Sequence, residues 1–164
     1  MHTITIRKAR LADIPLLARL EGEFDRDEGP TALKENPKLK PYLRTDSSVR
    51  FKSQRMLNWI ASRSSLVLIA EADSIPCGFS VQWVGTQTLP YRPQRFGYIG
   101  IMFVQRSCRG RGVGSMMMKE AQAWFAKRKI EHIMLTVLSD NKHARAIYAK
   151  WGFFDFVATM WKAL

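Results

Sequence analysis

Residues 96–115 read FGYIGIMFVQRSCRGRGVGS. The first nine are apolar almost throughout, as in a central strand buried on both faces. Gly97 and Gly100 within them predict a bulge or the close approach of a ligand to the backbone. The stretch Gln105 to Ser115 then turns on Gly110, Gly112 and Gly114 and opens a helix in which Val113, Met117, Ala121 and Trp124 fall on one face. Glycines allow a sharp turn that presents backbone N–H groups, the new helix adds its positive end, and Arg109 and Arg111 add fixed charge. The unit is therefore a cradle for an anion.

Spacing excludes two phosphate loops. No Lys-Ser/Thr pair follows, as a Walker A loop requires, and GxGxG does not fit the GxGxxG dinucleotide fingerprint. Taken alone, the segment could equally be a glycine-rich turn with solvated arginines. Met116, Met117 and Met118 read as core filler.

A second unit follows. Residues 135–154, LTVLSDNKHARAIYAKWGFF, predict a strand ending near Leu138 and a helix from about Asn141 that stops before Gly152. Asn141, Ala144 and Tyr148 lie three and seven residues apart and so share one helical face, with a small residue between two polar ones.

The two units together resemble the GNAT superfamily of acetyl-CoA-dependent N-acetyltransferases. Val104, followed five residues later by Arg109-Gly110-Arg111-Gly112-Val113-Gly114, fits that family's R/Q-x-x-G-x-G/A pyrophosphate loop. Leu135-x-Val137 through Asn141, Ala144, Tyr148, Gly152 and Phe153 fits its later cofactor motif, and Ile6-Arg7-x-Ala9 with Asp13 is a weaker echo of its start. The resemblance implies an α+β domain spanning residues 1–164. Its mostly antiparallel sheet would have six or seven strands, splayed between the fourth (Tyr98 to Val104) and the fifth (His132 to Leu138) and flanked by about four helices.

It also implies acetyl-CoA as acetyl donor and direct attack by a primary amine of a small molecule or peptide. Backbone around Gly112, Val113, Gly114 and Ser115 would take the pyrophosphate, and backbone at Phe103 and Val104 would pair with pantetheine. Asn141 and Ala144 would flank the pantetheine arm, and Tyr148 would be the general acid for the CoA sulfur. A tyrosine hydroxyl of ordinary pKa about 10 stays protonated at neutral pH and can donate where a thiolate forms; the alternative for Tyr148 is amphipathic packing near the sheet edge.

One departure concerns the general base. Several relatives carry a glutamate just before the position of Val137, where this chain has Thr136. That leaves water, Glu71 or Asp140 to take the amine proton. His132 and His143 read as structural or exposed. Without an assigned base, a non-catalytic acyl-CoA sensor remains an alternative.

Further toward the N-terminus, Thr3–Arg7 alternates as a strand does, and Asp13 is placed to cap a helix with the stripe Ile14, Leu17 and Leu20. Gly29–Ser48, with three prolines among lysines, reads as an irregular, mobile connection. Phe51–Ser62 reads as an amphipathic helix, Ser65–Glu71 and Cys77–Val84 as a hairpin, and Gly85–Arg95 as a loop.

Composition sets the outer bounds. The 164 residues, 46% hydrophobic and 24% charged, suffice for one packed domain. Cys77 and Cys108 form no CxxC pair or metal-ligand spacing with the histidines, so no metal site is read and reduced thiols in a cytoplasmic protein are expected. With charges where a signal peptide needs apolar residues and no long apolar run, a membrane role is disfavoured.

The net charge of +12 draws polyanions, and residues 83–164 alone carry thirteen Lys and Arg against four acids. A basic nucleic-acid or ribosome-associated module is thus a rival reading, but Lys127-Arg128-Lys129 has no interleaved aromatics, and CoA's phosphates account for the same charge. Specific nucleic-acid binding is not expected, and a homodimer is left open. Glu21, Glu23, Asp25, Asp27 and Glu28 cluster where the family lines its acceptor cleft. They read either as an attraction for a cationic amine or as a solvated acidic helix end.

Overall fold

The computed structural model describes residues 3–40, 49–86 and 95–160. Strands β1 (Ile4–Lys8), β2 (Ser65–Ala72), β3 (Ile75–Thr86), β4 (Arg95–Val104) and β5 (Ile133–Leu135) form one sheet in that spatial order. The first three pairings are antiparallel and β4–β5 is parallel. The helices are α1 (Ile14–Glu35), α2 (Val49–Ala61), α3 (Val113–Ala126) and α4 (Lys142–Lys150). The described chain is thus the α+β, mostly antiparallel architecture expected, with four helices.

Alternation along the strands gives the sheet two apolar faces. On one, Leu17 and Leu20 of α1 and Met56 of α2 pack with Val67, Ile69, Phe79, Val81 and Phe103. On the other, Met118, Ala121, Trp124 and Phe125 of α3 cover Leu66, Leu68 and Ile99. Val113 and Met117 complete this second layer beside Cys77 and Cys108, which are free thiols. Burial, together with the neighbouring Cys108 thiol, pushes Cys77 up to about 11. Of the methionine triplet, Met117 and Met118 are core and Met116 is exposed.

Three expectations need correction. First, the sheet has five strands among the described residues, not six or seven. Residues 153–160 carry no strand and leave Phe154, Phe156, Val157 and Met160 exposed. A β5 of only three residues offers a further strand few hydrogen bonds.

Second, Asp13 does not cap α1 forward. It closes a preceding 3-10 turn (Leu11–Asp13) by accepting from the Arg10 N–H at 2.7 Å, and its carboxylate takes both terminal nitrogens of Arg7 at 2.8 and 2.9 Å. Third, α1 runs through Pro30 to Glu35, and a 3-10 turn at Pro37–Leu39 follows. Proline gives up one N–H bond, and the Ala-Leu-Lys-Glu run beyond it is made of strong helix formers. The rest of the expected connection, 41–48, and most of the loop after β3, 87–94, lie outside the described residues.

Candidate active site

The splay begins at Gly100. Gln82 of β3 pairs with Ile99 and the next residue, Val81, with Ile101, so Gly100 is an extra residue on β4. A Cβ there would lie 2.2 Å from the Trp83 ring, so only glycine lets that ring cross the strand. The close approach predicted from the sequence is therefore made by the protein's own side chain. At Gly97 it is made by Phe125, 2.6 Å from a built Cβ. A bulge sharpens strand twist, and β5, paired to Gly97–Ile99 only, leaves β4 at this point. The hydroxyls of Tyr98 and Thr136 meet at 2.7 Å where the pairing ends.

The bulge also changes which backbone groups face the gap. Before it, Gly97 N–H donates to His132 O on the β5 side. After it, Phe103 pairs toward Phe79 of β3, and Gln105 N–H donates to Cys77 O. Alternation therefore turns the backbone of Met102 and Val104 into the splay. The Phe103 ring instead packs edge-on against Phe24 and Phe79.

Beyond Val104 the chain makes a 3-10 turn (Arg106–Cys108) and enters the glycine turn. Gly110 and Gly112 have φ of +75° and +78°, and Gly112 stands at the N-terminus of α3 without a side-chain cap. The first helical bond closes from Met116 N–H to Gly112 O at 3.0 Å. The preceding N–H groups, of Val113, Gly114 and Ser115, project from the positive end of a 14-residue helix. Arg111 is exposed beside them. These groups fit an anion such as a pyrophosphate.

Arg109 is committed elsewhere. Its Nε donates to Val104 O at 2.9 Å, and its guanidinium pairs with Asp27 of α1, which also holds Arg106. Burial acts to raise the Asp27 carboxyl, but the two arginines outweigh it and hold the group below the usual carboxylate range.

The acidic cluster is divided by helical geometry. Glu21 and Asp25, four residues apart, face α2: buried Glu21 pairs with Arg55, and Asp25 with Lys52 at 2.7 Å. Glu23 and Asp27 face the turn, and Gln105 Nε2 reaches Glu23 at 2.7 Å. The only trace of this clamp in the sequence is the i, i+4 spacing of the acids on both faces.

Asn141 caps α4 by accepting from Ala144 N–H at 3.0 Å. The Tyr148 ring, on the same helix, packs against Trp151 and Phe153 with centroids 5.8 and 5.9 Å away. Of the two carboxylates considered as base, Glu71 is bound by Arg7 Nε at 2.7 Å, between β1 and β2. Asp140, just before the α4 cap, accepts from Asn36 at 2.6 Å and so ties the end of α1 to this side of the splay. An open cleft of about 490 Å³ lies between α1 and the end of β4, lined by Glu23, Arg26, Asp27, Phe103, Gln105, Arg106 and Ser107. Among the described residues no cluster of His, Cys, Asp and Glu could hold a metal, and no helix is long and apolar enough to cross a membrane.

The arrangement is that of an α+β protein whose sheet is splayed beyond Ile99, with a glycine turn and an uncapped helix N-terminus following β4. Residues 32–153 match the acetyltransferase (GNAT) family, and the chain belongs to that family. The fold agrees. A tetramutant of the BH1408 protein from Bacillus halodurans superposes with a TM-score of 0.81 at 21% identity, over 98% of this chain and 99% of that one. A predicted acetyltransferase from Clostridium acetobutylicum, in a structure with acetyl-CoA, gives 0.76 at 23%, over 99% and 96%. The aminoglycoside N-acetyltransferase AAC(6')-Iy in complex with CoA gives 0.78 at 13%, over 100% and 96%. No curated protein sequence matches the chain.

Proposed function

We propose that this protein transfers the acetyl group of acetyl-CoA to a primary amine. The observation that carries the reading is the coincidence, at one end of β4, of the strand splay with the uncapped N-terminus of α3 behind Gly112. The splay admits an extended arm along the backbone of Met102 and Val104, and the Val113–Ser115 N–H groups meet its pyrophosphate. Two relatives of the same fold are in structures with acetyl-CoA or CoA, which supports this donor.

In the reaction the amine nitrogen bonds to the thioester carbonyl carbon. The C–S bond breaks, the sulfur takes a proton from the Tyr148 hydroxyl, the nitrogen releases its proton to solvent, and solvent returns a proton to the Tyr148 oxygen. Backbone N–H groups of β4 facing the splay stabilise the developing oxyanion. Tyr148→Phe keeps the ring packing on Trp151 and Phe153 and removes the hydroxyl that donates the proton. The expected result is a fall in CoA release of about 10² to 10⁴ with acetyl-CoA affinity nearly intact. Unchanged turnover would reassign the acid to another group or to water. A protein that binds acetyl-CoA but turns over no amine would be a sensor.

A further inference from the structure

We propose that the acceptor is an amine that also carries an anionic group, and that Arg26 receives that group in the cleft between α1 and the end of β4. The inference rests on the acetyl-transfer reading above and adds the substrate class to it. Acidic residues in this part of the sequence invite the opposite expectation, a polycation, but the structure spends those acids internally. Of the two carboxylates lining the cleft, Asp27 is held by both Arg106 and Arg109, and Glu23 by Gln105 and, at 3.5 Å, by Arg19. Neither is left for a ligand ammonium.

Arg26 differs from its neighbours. It lines the same cleft, is exposed, and has no hydrogen-bond or ion-pair partner among the described residues. With no such partner among the described residues, its guanidinium presents a donor fork that suits a carboxylate or phosphate. With Arg26 and Arg106 lining the cleft and further arginines behind each carboxylate, the local field favours an anion and disfavours a second ammonium.

The same field bears on the missing base. Positive surroundings lower the pKa of a bound ammonium, so more of the acceptor stands as free amine and its proton can pass to water without a carboxylate. Thr136, where several relatives carry glutamate, and the engagement of Glu71 by Arg7 are then no obstacle.

The test uses two matched pairs, γ-aminobutyrate against putrescine and glycylglycine against glycylglycinamide. Each is measured by CoA release and by calorimetric binding to the CoA-loaded protein. The carboxylate member of each pair should be favoured about tenfold, the scale of a hydrogen bond to a charged group, and Arg26→Gln should remove the preference. Equal or better binding and turnover of putrescine and glycylglycinamide overturns the proposal, as does a preference that survives Arg26→Gln. Failure of the parent protein to bind acetyl-CoA would instead overturn the acetyl-transfer reading, so the two failures are distinct.

Discussion

Asp27, in the second half of α1, binds the guanidinium of Arg109, the first residue of the glycine turn 82 residues further along the chain. The pair joins α1 to the glycine turn, with Glu23 and Gln105 as a second stitch. It also means that the charge of Arg109 is already answered within the protein. In the acetyl transfer proposed above, the donor's phosphates would fall chiefly to backbone N–H groups and to Arg111.

The clamp predicts energetic coupling. Arg109 is 44% exposed, so solvent screens the pair, and a double-mutant cycle on Asp27→Ala and Arg109→Ala in urea should give a coupling of about 0.5–1 kcal/mol. Additive effects would show that the contact does not hold the turn.

Acid should weaken the fold through two carboxylates. Arg7, opposed in part by burial, holds Asp13 below its usual range, and Asp27 is likewise depressed by its arginines against its burial. A group depressed in the folded state contributes its full stability above the unfolded pKa of about 3.9 and loses it as pH falls through the folded value. The thermal midpoint should therefore drop as pH falls below about 4, and an Asp13→Asn, Asp27→Asn double variant should show a flatter acid limb. Parallel acid limbs for the variant and the parent would count against both assignments.

The bulge at Gly100 is testable by packing. Gly100→Ala drives a methyl into the Trp83 ring and should destabilise by about 1–3 kcal/mol, as overpacking does. Adding Trp83→Leu should recover part of the loss. If Gly100→Ala alone is neutral in chemical denaturation, the ring does not fix the strand at that point.

What the sequence disclosed and what it concealed follow from range. The strand, glycine turn and α3 are local, and the stripe Val113, Met117, Ala121 and Trp124 is buried as the periodicity required. The helix after Asn141 likewise starts and stops where its cap and Gly152 predict. Contacts between distant segments left no local trace. Asn36 meets Asp140 across 104 residues, and the commitment of Arg109 to Asp27 could not be seen from the RGRGVG run. Strand number failed for a related reason, since a strand after Phe153 depends on the edge that β5 offers, and β5 pairs over three residues rather than seven.

The central claim is that the N-terminus of α3 holds the pyrophosphate of acetyl-CoA, and calorimetric titration of acetyl-CoA into Gly112→Asn and Gly112→Asp tests it most directly. Both side chains tolerate the left-handed conformation at Gly112 better than other residues do, no atom lies within 4 Å of a Cβ there, and either residue caps a helix well. The variants therefore differ in charge alone. Saturable binding by the parent is expected, with a loss of a few-fold in Gly112→Asn and of more than about tenfold in Gly112→Asp, where a carboxylate opposes the phosphates. Equal affinity in a folded Gly112→Asp variant would contradict the claim.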